Sequence, residues 1–352
     1  MEIRREEVER HKKKAILLSV FFLSLSLIPF VLFRAESFSP DGAKELPVKL
    51  SAYRVDIIRE VWLDESRKRE VPVKIYYPAE LKSRAPVILF SHGLGGSREG
   101  YEYLGRFWAE NGFISVHLQH AGSDEAVWKG KKEPLAEMRK AAANPLNALE
   151  RVKDISFALD KLEKINIQSG PLKGLMDLQK IGLAGHSFGA NTTLLIAGQR
   201  IILPRGRELS LADKRVKAAI PMSAPVPSNR NNLEKIFGFI SIPCFHMTGT
   251  LDDSPIGETR AEERRIPFDY IKKADQYLVI FKEGDHMIFS GRPRWAALSG
   301  RGQKDEVFQQ MIKELSLIFW KAYLEEDRKA RAWLREGGAQ KYLNGQATFE
   351  YK

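Results

Sequence analysis

Cysteine is almost absent from this chain of 352 residues, in which Cys244 stands alone. A single thiol excludes an internal disulfide, and without a CxxC pair there is no thiolate framework for zinc or dithiol chemistry. HExxH and EF-hand spacings are missing too, so no catalytic metal is expected. Neither GxGxxG nor GxxxxGK occurs, which leaves no phosphate cradle and no cofactor to expect. Internal repeats and low-complexity tracts are lacking as well, which sets aside solenoids and disordered chains.

Charge of one sign does not dominate locally. The formal net charge is +11, but 56 basic residues are interleaved with 45 acidic ones along the whole length. A solvated surface accounts for that pattern, and no nucleic-acid-binding motif accompanies it, so nucleic acid is not an expected partner. The hydrophobic fraction of 43% suits a globular protein with a large core.

One long apolar run is present. Residues 15–33, AILLSVFFLSLSLIPFVLF, carry no charge and follow Arg4, Arg5, Arg10, Lys12, Lys13 and Lys14. At about 1.5 Å per residue the run nearly spans a hydrocarbon core of about 30 Å. We expect a cytoplasmic basic segment over 1–14, a transmembrane anchor over 15–33, a tether over 34–49 and an exported domain over 50–352. A cleaved signal with secretion is the alternative, though the FRAE that follows is a poor cleavage site.

Beyond residue 50 short β-branched or apolar runs recur at 53–62, 71–77, 86–90, 113–118, 180–184, 216–221, 243–247 and 277–281. Helical spacing appears at 101–110, 146–163, 192–199 and 306–330. Strands alternating with helices predict an α/β domain, a mostly parallel sheet of about eight strands with helices on both faces. The first two runs predict an antiparallel hairpin at one edge.

Within KIGLAGHSFGANTTLLIAG (180–198), Ser187 lies between Gly185 and Gly189, after a strand-like run and before a helix-like one. A strand turning sharply into a helix leaves no room for side chains two residues either side of the turn, and it lifts the hydroxyl clear. Ser187 is the candidate nucleophile. Only His246 and His286 of the seven histidines follow it in the chain. His246 falls inside a strand-like run, whereas His286 sits in a glycine-containing loop past one, which suits a general base. TGTLDDSPIG offers Asp252 or Asp253 as the carboxylate that orients the base, with Asp252 preferred and Asp285 too close in sequence to His286. The turn SHGLGG (91–96) and the start of the helix after Ser187 supply the N–H groups of Leu94 and Phe188 as an oxyanion hole.

Together LFSHGLGG, HAGSDEAVW, GHSFGA, HMTGTLDDSPIG and FKEGDHMIFSG resemble the α/β-hydrolase superfamily. Within it they resemble bacterial relatives of platelet-activating factor acetylhydrolase that are often labelled predicted dienelactone hydrolases. The similarity runs from about residue 48 to the C-terminus. It implies Ser187 as nucleophile, His286 as base, and Leu94 and Phe188 as oxyanion donors. Two departures stand out. Where the animal acetylhydrolases carry their acid, this chain reads PMSAPVP with Ser223, which favours Asp252 on the next strand end; and dienelactone hydrolases use a cysteine where Ser187 stands.

The resemblance implies a serine carboxylic-ester hydrolase acting through an acyl-enzyme, on short-acyl or oxidised phospholipid-type esters. A general carboxylesterase or lactone hydrolase is the alternative, and a membrane-tethered binding protein on a hydrolase scaffold is the reading from another class. The loop 120–145 is expected to wall the pocket through Trp128, Leu135 and Met138, with Lys129, Lys131 and Lys132 solvated and His120 and Asp124 holding the loop.

Overall fold

The computed structural model describes residues 46–228, 230–291 and 304–352. The anchor expected at residues 15–33 lies outside them. Among the described residues no helix is long and apolar enough to cross a membrane.

The edge hairpin forms as the sequence suggests. Strands β1 (Val55–Asp64) and β2 (Arg69–Pro78) pair antiparallel. The Asp64 carboxylate closes their turn by accepting the Ser66 and Arg67 N–H groups. Strand β3 (Ala85–Ser91), helix α1 (Glu102–Glu110) and strand β4 (Ile114–Leu118) make a parallel crossover unit. Every residue of β3 is buried. Ile88 and Phe90 enter the core on one side while Val87 and Leu89 enter it on the other, which is why APVILFS reads as one unbroken apolar run.

Helices α2 (Pro134–Ala143) and α3 (Pro145–Ile167) lead to β5 (Met176–His186), which runs directly into α4 (Phe188–Ala197). A small ribbon, β6 (Arg200–Ile202) with β7 (Glu208–Ser210), precedes β8 (Val216–Met222). Then come α5 (Leu233–Phe237), β9 (Cys244–Leu251), α6 (Ile266–Tyr270) and β10 (Gln276–Asp285). The described chain closes with α7 (Asp305–Leu324), α8 (Arg328–Arg335), α9 (Gly338–Leu343) and β11 (Ala347–Tyr351).

The main sheet has the order β1-β2-β4-β3-β5-β8-β9-β10-β11, nine strands instead of about eight. All eight expected strands are present, and the ninth, β11, pairs antiparallel with β10. Helices α1 and α7 pack on one face of the sheet, α3 and α4 on the other. The single helix expected over 306–330 is two. Glu326 takes a left-handed φ of 59° that ends α7, and the Asp327 side chain accepts the Lys329 and Ala330 N–H groups to start α8. Leu46 and Val48 already pack against the core, just ahead of residue 50.

The parallel strands β3, β5, β8, β9 and β10 all point their carboxyl ends the same way. That end is where ligands meet an open α/β sheet.

Candidate active site

Ser187 occupies the one-residue joint between β5 and α4, with φ 56° and ψ −116°. A serine held there carries about 1–3 kcal/mol of backbone strain, sustained by its surroundings. Its N–H is fixed by the Met222 carbonyl at 2.8 Å. The flanking glycines have a steric cause. A Cβ at Gly185 would lie 2.3 Å from the Gly189 carbonyl oxygen, and one at Gly189 would lie 1.9 Å from the Ser91 carbonyl oxygen. Backbone of β3 thus presses directly on the start of α4. Gly189→Ala is expected to cost about 3 kcal/mol or more in a denaturant titration, and unchanged stability would contradict this packing.

His286 follows the last residue of β10 and turns back over the joint. Its Nε2 lies 2.9 Å from Ser187 Oγ, and its Nδ1 lies 2.7 Å from Asp252 Oδ1. Because a carboxylate only accepts, Nδ1 carries the proton and the Nε2 lone pair faces the serine hydroxyl. Asp252 begins the loop after β9 and its side chain is fully buried. Its other oxygen accepts from Ser223 Oγ at 2.5 Å and Thr248 Oγ1 at 2.8 Å. The alternative acid, Asp253, is exposed and accepts the Ala261 N–H. The fold therefore joins Ser187, His286 and Asp252 and leaves Asp253 out. His246 stays within β9, buried against Gln276 Oε1 at 3.0 Å.

Two partners of Asp252 escape a sequence reading. Arg264 is buried, with Nε 3.0 Å from Asp252 Oδ1 and Nη2 3.3 Å from His286 Nδ1, and it donates to the Ser223 carbonyl at 2.7 Å. Ser223 itself sits at φ 53° just past β8. Burial pushes the Arg264 guanidinium below its ordinary range, against the pull of Asp252 and Asp253. In the sequence Arg264 lies in AEERRIP, a run that reads as a solvated charged turn.

The residue before Ser187 ties the loop of His286 to the glycine turn. His186 Nε2 lies 3.0 Å from the His286 carbonyl, its Nδ1 lies 2.8 Å from Tyr101 Oη, and that oxygen accepts the Gly93 N–H at 3.3 Å. Only one polarity fits: the carbonyl must accept from Nε2–H, so Nδ1 accepts from the tyrosine. Burial first, then the positive neighbourhood of His286 and Arg264, pushes His186 well below the ordinary histidine range and keeps it neutral.

A cavity of about 240 Å³ opens above Ser187 and His286, walled by Leu94, Trp128, Met138 and Ile256. Trp128 and Met138 take the expected places. Leu135 does not: it is 49% exposed, near the solvent-facing start of α2, and does not border the cavity. Lys129, Lys131 and Lys132 are exposed. His120 is buried between Ser91 Oγ and Asp154, and Asp124 accepts from Gln119 at 2.8 Å, so both brace the loop. Leu94 borders the cavity together with Ser187. Phe188 is the first residue of α4, a position whose N–H has no intrahelical acceptor.

Residues 55–141 match the family described as platelet-activating factor acetylhydrolase, isoform II. The platelet-activating factor acetylhydrolase of Cavia porcellus is 25% identical over 305 residues, covering 76% of this chain and 64% of that protein. Its counterpart from Canis lupus familiaris is 31% identical over 147 residues, a third of each chain, and that from Bos taurus 29% identical over 139. The chain thus spans less than two thirds of the length of these relatives. Together with the fold, these matches support a platelet-activating factor acetylhydrolase-like α/β-hydrolase family for this chain, the resemblance its motifs suggested.

Proposed function

We propose that the protein is a serine carboxylic-ester hydrolase that works through an acyl-enzyme. The observation that carries this reading is the unbroken line from Asp252 Oδ1 through His286 to Ser187 Oγ, opening on a cavity. In the proposed cycle Ser187 Oγ attacks the ester carbonyl carbon while its proton passes to His286 Nε2. Asp252 stabilises the imidazolium so formed. The tetrahedral oxyanion is held by the Leu94 and Phe188 N–H groups. Collapse expels the alcohol, which takes the proton from Nε2, and a water activated by the same nitrogen then releases the acid.

Short-acyl or oxidised phospholipid-type esters are the proposed substrates. The relatives' names support the class, and a cavity of about 240 Å³ suits a small acyl group. Hydrolysis of p-nitrophenyl esters of increasing chain length, run beside an acetylated phospholipid, tests this. Activity should fall steeply with acyl length, and equal rates on long and short chains would reject the assignment.

The proposed acid is tested by a paired comparison. Asp252→Asn is expected to lower kcat by about 10³- to 10⁴-fold, because the amide favours the wrong tautomer of His286. Asp253→Asn should retain activity within about twofold, and the reverse pattern would overturn the choice. We also propose that residues 15–33 tether the domain to a membrane, supported by nineteen uncharged residues behind six basic ones. Partition of the full chain, and of a form starting at residue 46, between membrane and soluble fractions tests that attachment.

A further inference from the structure

Behind the glycine turn lies a buried arginine that the proposed cycle does not use. Arg151, on α3, is wholly buried, and each of its nitrogens has a partner. Nε donates to Ser123 Oγ at 2.8 Å. Nη1 donates to the His92 carbonyl at 2.7 Å and to Ser91 Oγ at 3.3 Å. Nη2 reaches the Gly93 carbonyl at 3.5 Å, and the guanidinium carbon lies 4.7 Å from the centre of the Phe188 ring. One side chain therefore touches both the segment that leads into Leu94 and the ring of Phe188, the two proposed oxyanion donors.

His92 completes the arrangement. Its Nε2 accepts the His120 N–H at 3.1 Å, so Nδ1 carries the proton and donates to the Gly93 carbonyl at 2.6 Å. The Gly96 N–H reaches the same oxygen at 3.1 Å. The Gly93 carbonyl and the Leu94 N–H belong to one planar trans peptide and must point in opposite directions. Drawing the oxygen inward, toward His92 and Arg151, turns the Leu94 N–H outward to the cavity that Leu94 shares with Ser187.

Arg151 Nη2 also lies 3.1 Å from His92 Nδ1, a close approach of two donors and not a hydrogen bond, and beyond it the polarity of the cluster is consistent. Asp154 accepts from His120 Nδ1 at 3.0 Å, leaving His120 Nε2 to accept from Ser91 Oγ, whose oxygen accepts from Arg151. Burial lowers the Arg151 guanidinium to about 9, opposed by Asp154, so it is charged at neutral pH.

We propose that Arg151, acting through His92, is the positioning residue that fixes the Gly93–Leu94 peptide and steadies Phe188, preorganising both oxyanion donors before substrate binds. The inference rests on the hydrolase reading above and assigns a role to residues which that reading leaves idle. Donors that serve only the transition state raise kcat without tightening substrate binding.

The test compares the full-length wild type with Arg151→Met, Arg151→Lys and His92→Ala, using p-nitrophenyl acetate and a trifluoromethyl ketone that mimics the tetrahedral state. Arg151→Met should lower kcat by about 30- to 100-fold with KM within twofold, and weaken the ketone by a similar factor. Arg151→Lys, which keeps the charge and spares the fold, should recover only part of that loss, and His92→Ala should lose about tenfold. If Arg151→Lys or a folded Arg151→Met keeps kcat and ketone affinity within twofold, the positioning role is overturned. If KM rises while kcat holds, the residue shapes the substrate site instead, and the proposal is again rejected. A wild type whose hydrolysis does not depend on Ser187 would sink the hydrolase reading itself, a separate result.

Discussion

Replacing Ser187 by alanine is expected to lower kcat by about 10⁴- to 10⁶-fold while leaving KM within a few-fold. The size follows from what remains. On the proposed mechanism no acyl-enzyme forms without Oγ, and His286 and Asp252 have nothing to activate, so only the proposed amide donors and the binding cavity still favour the reaction. The folded state should survive. Ser187 Oγ bonds His286 but no packed neighbour depends on it, and its backbone is held independently by the Met222 carbonyl. Alanine meets the same unfavourable φ of 56° as serine. An organophosphonate probe should label the wild type on the peptide containing Ser187 and leave the variant unlabelled. Hydrolysis by the variant above about a tenth of the wild-type rate would reject the nucleophile, and so would labelling elsewhere. A chain that binds esters without turning them over fails the same assay.

The second large effect concerns stability, and its sign comes from buried histidines. His117, His120, His186 and His246 are all 3% exposed or less. Burial pushes each below its ordinary range, His117 to about 3 and His246 to about 4. Each is bonded as a neutral ring, for example His117 between the Gly100 carbonyl and Ser115 Oγ. In the unfolded chain these rings take up protons near about pH 6.5. Below that pH the unfolded state binds up to four protons that the folded state refuses, so stability is full above 6.5 and is lost as pH falls. The limiting slope is about 1.4 kcal/mol per pH unit for each ring, or about 5 kcal/mol for four.

Two carboxylates act lower. Burial would raise Asp154, but His120 and Arg69 outweigh it and bring the group to about 2; Glu99 reaches about 2 through Arg59 and Lys74, against burial. Their folded values lie below the unfolded ones, so their contribution is present above about pH 4 and lost between about 4 and 2. A domain with a typical 5–15 kcal/mol of stability should therefore unfold before the carboxylates titrate. Urea titrations at pH 7.5, 6.0 and 5.0 should show the midpoint falling steeply, and His246→Gln should flatten the slope by about one proton. A midpoint unchanged between pH 7.5 and 5.0 would contradict neutral burial of these rings.

The strands and the site differ in how far a sequence reveals them. Parallel strands buried on both faces leave long apolar runs such as VILF in β3, and the six strands with parallel partners were legible for that reason, whereas β1 and β2 showed as β-branched runs on either side of a charged turn. The antiparallel strand β11, ATFEY, buries only Ala347 and Phe349 of its five residues and leaves no run to read. Ser187, Asp252 and His286 stood out because the chemistry proposed for them demands particular residue types at strand ends. Arg151 and Arg264 did not, since LERVKD and EERRIP look like ordinary solvated charge. What satisfies those buried guanidinium groups includes carbonyl oxygens 12 to 59 residues away. Such partners leave no periodicity. Leu135 failed for a related reason: its distance from the cavity depends on how α2 is seated, which composition does not specify.

Strand β11 has a further consequence. It zips along β10 from Phe281 to Tyr277, and the strand it braces is the arm that delivers the imidazole of residue 286. Trimming the polypeptide from residue 347 would bare a ladder of unpaired amides beside that arm. Self-association and slackened proton transfer should then appear together, which makes the tail a poor place for a purification handle and a good place to engineer a dimmer.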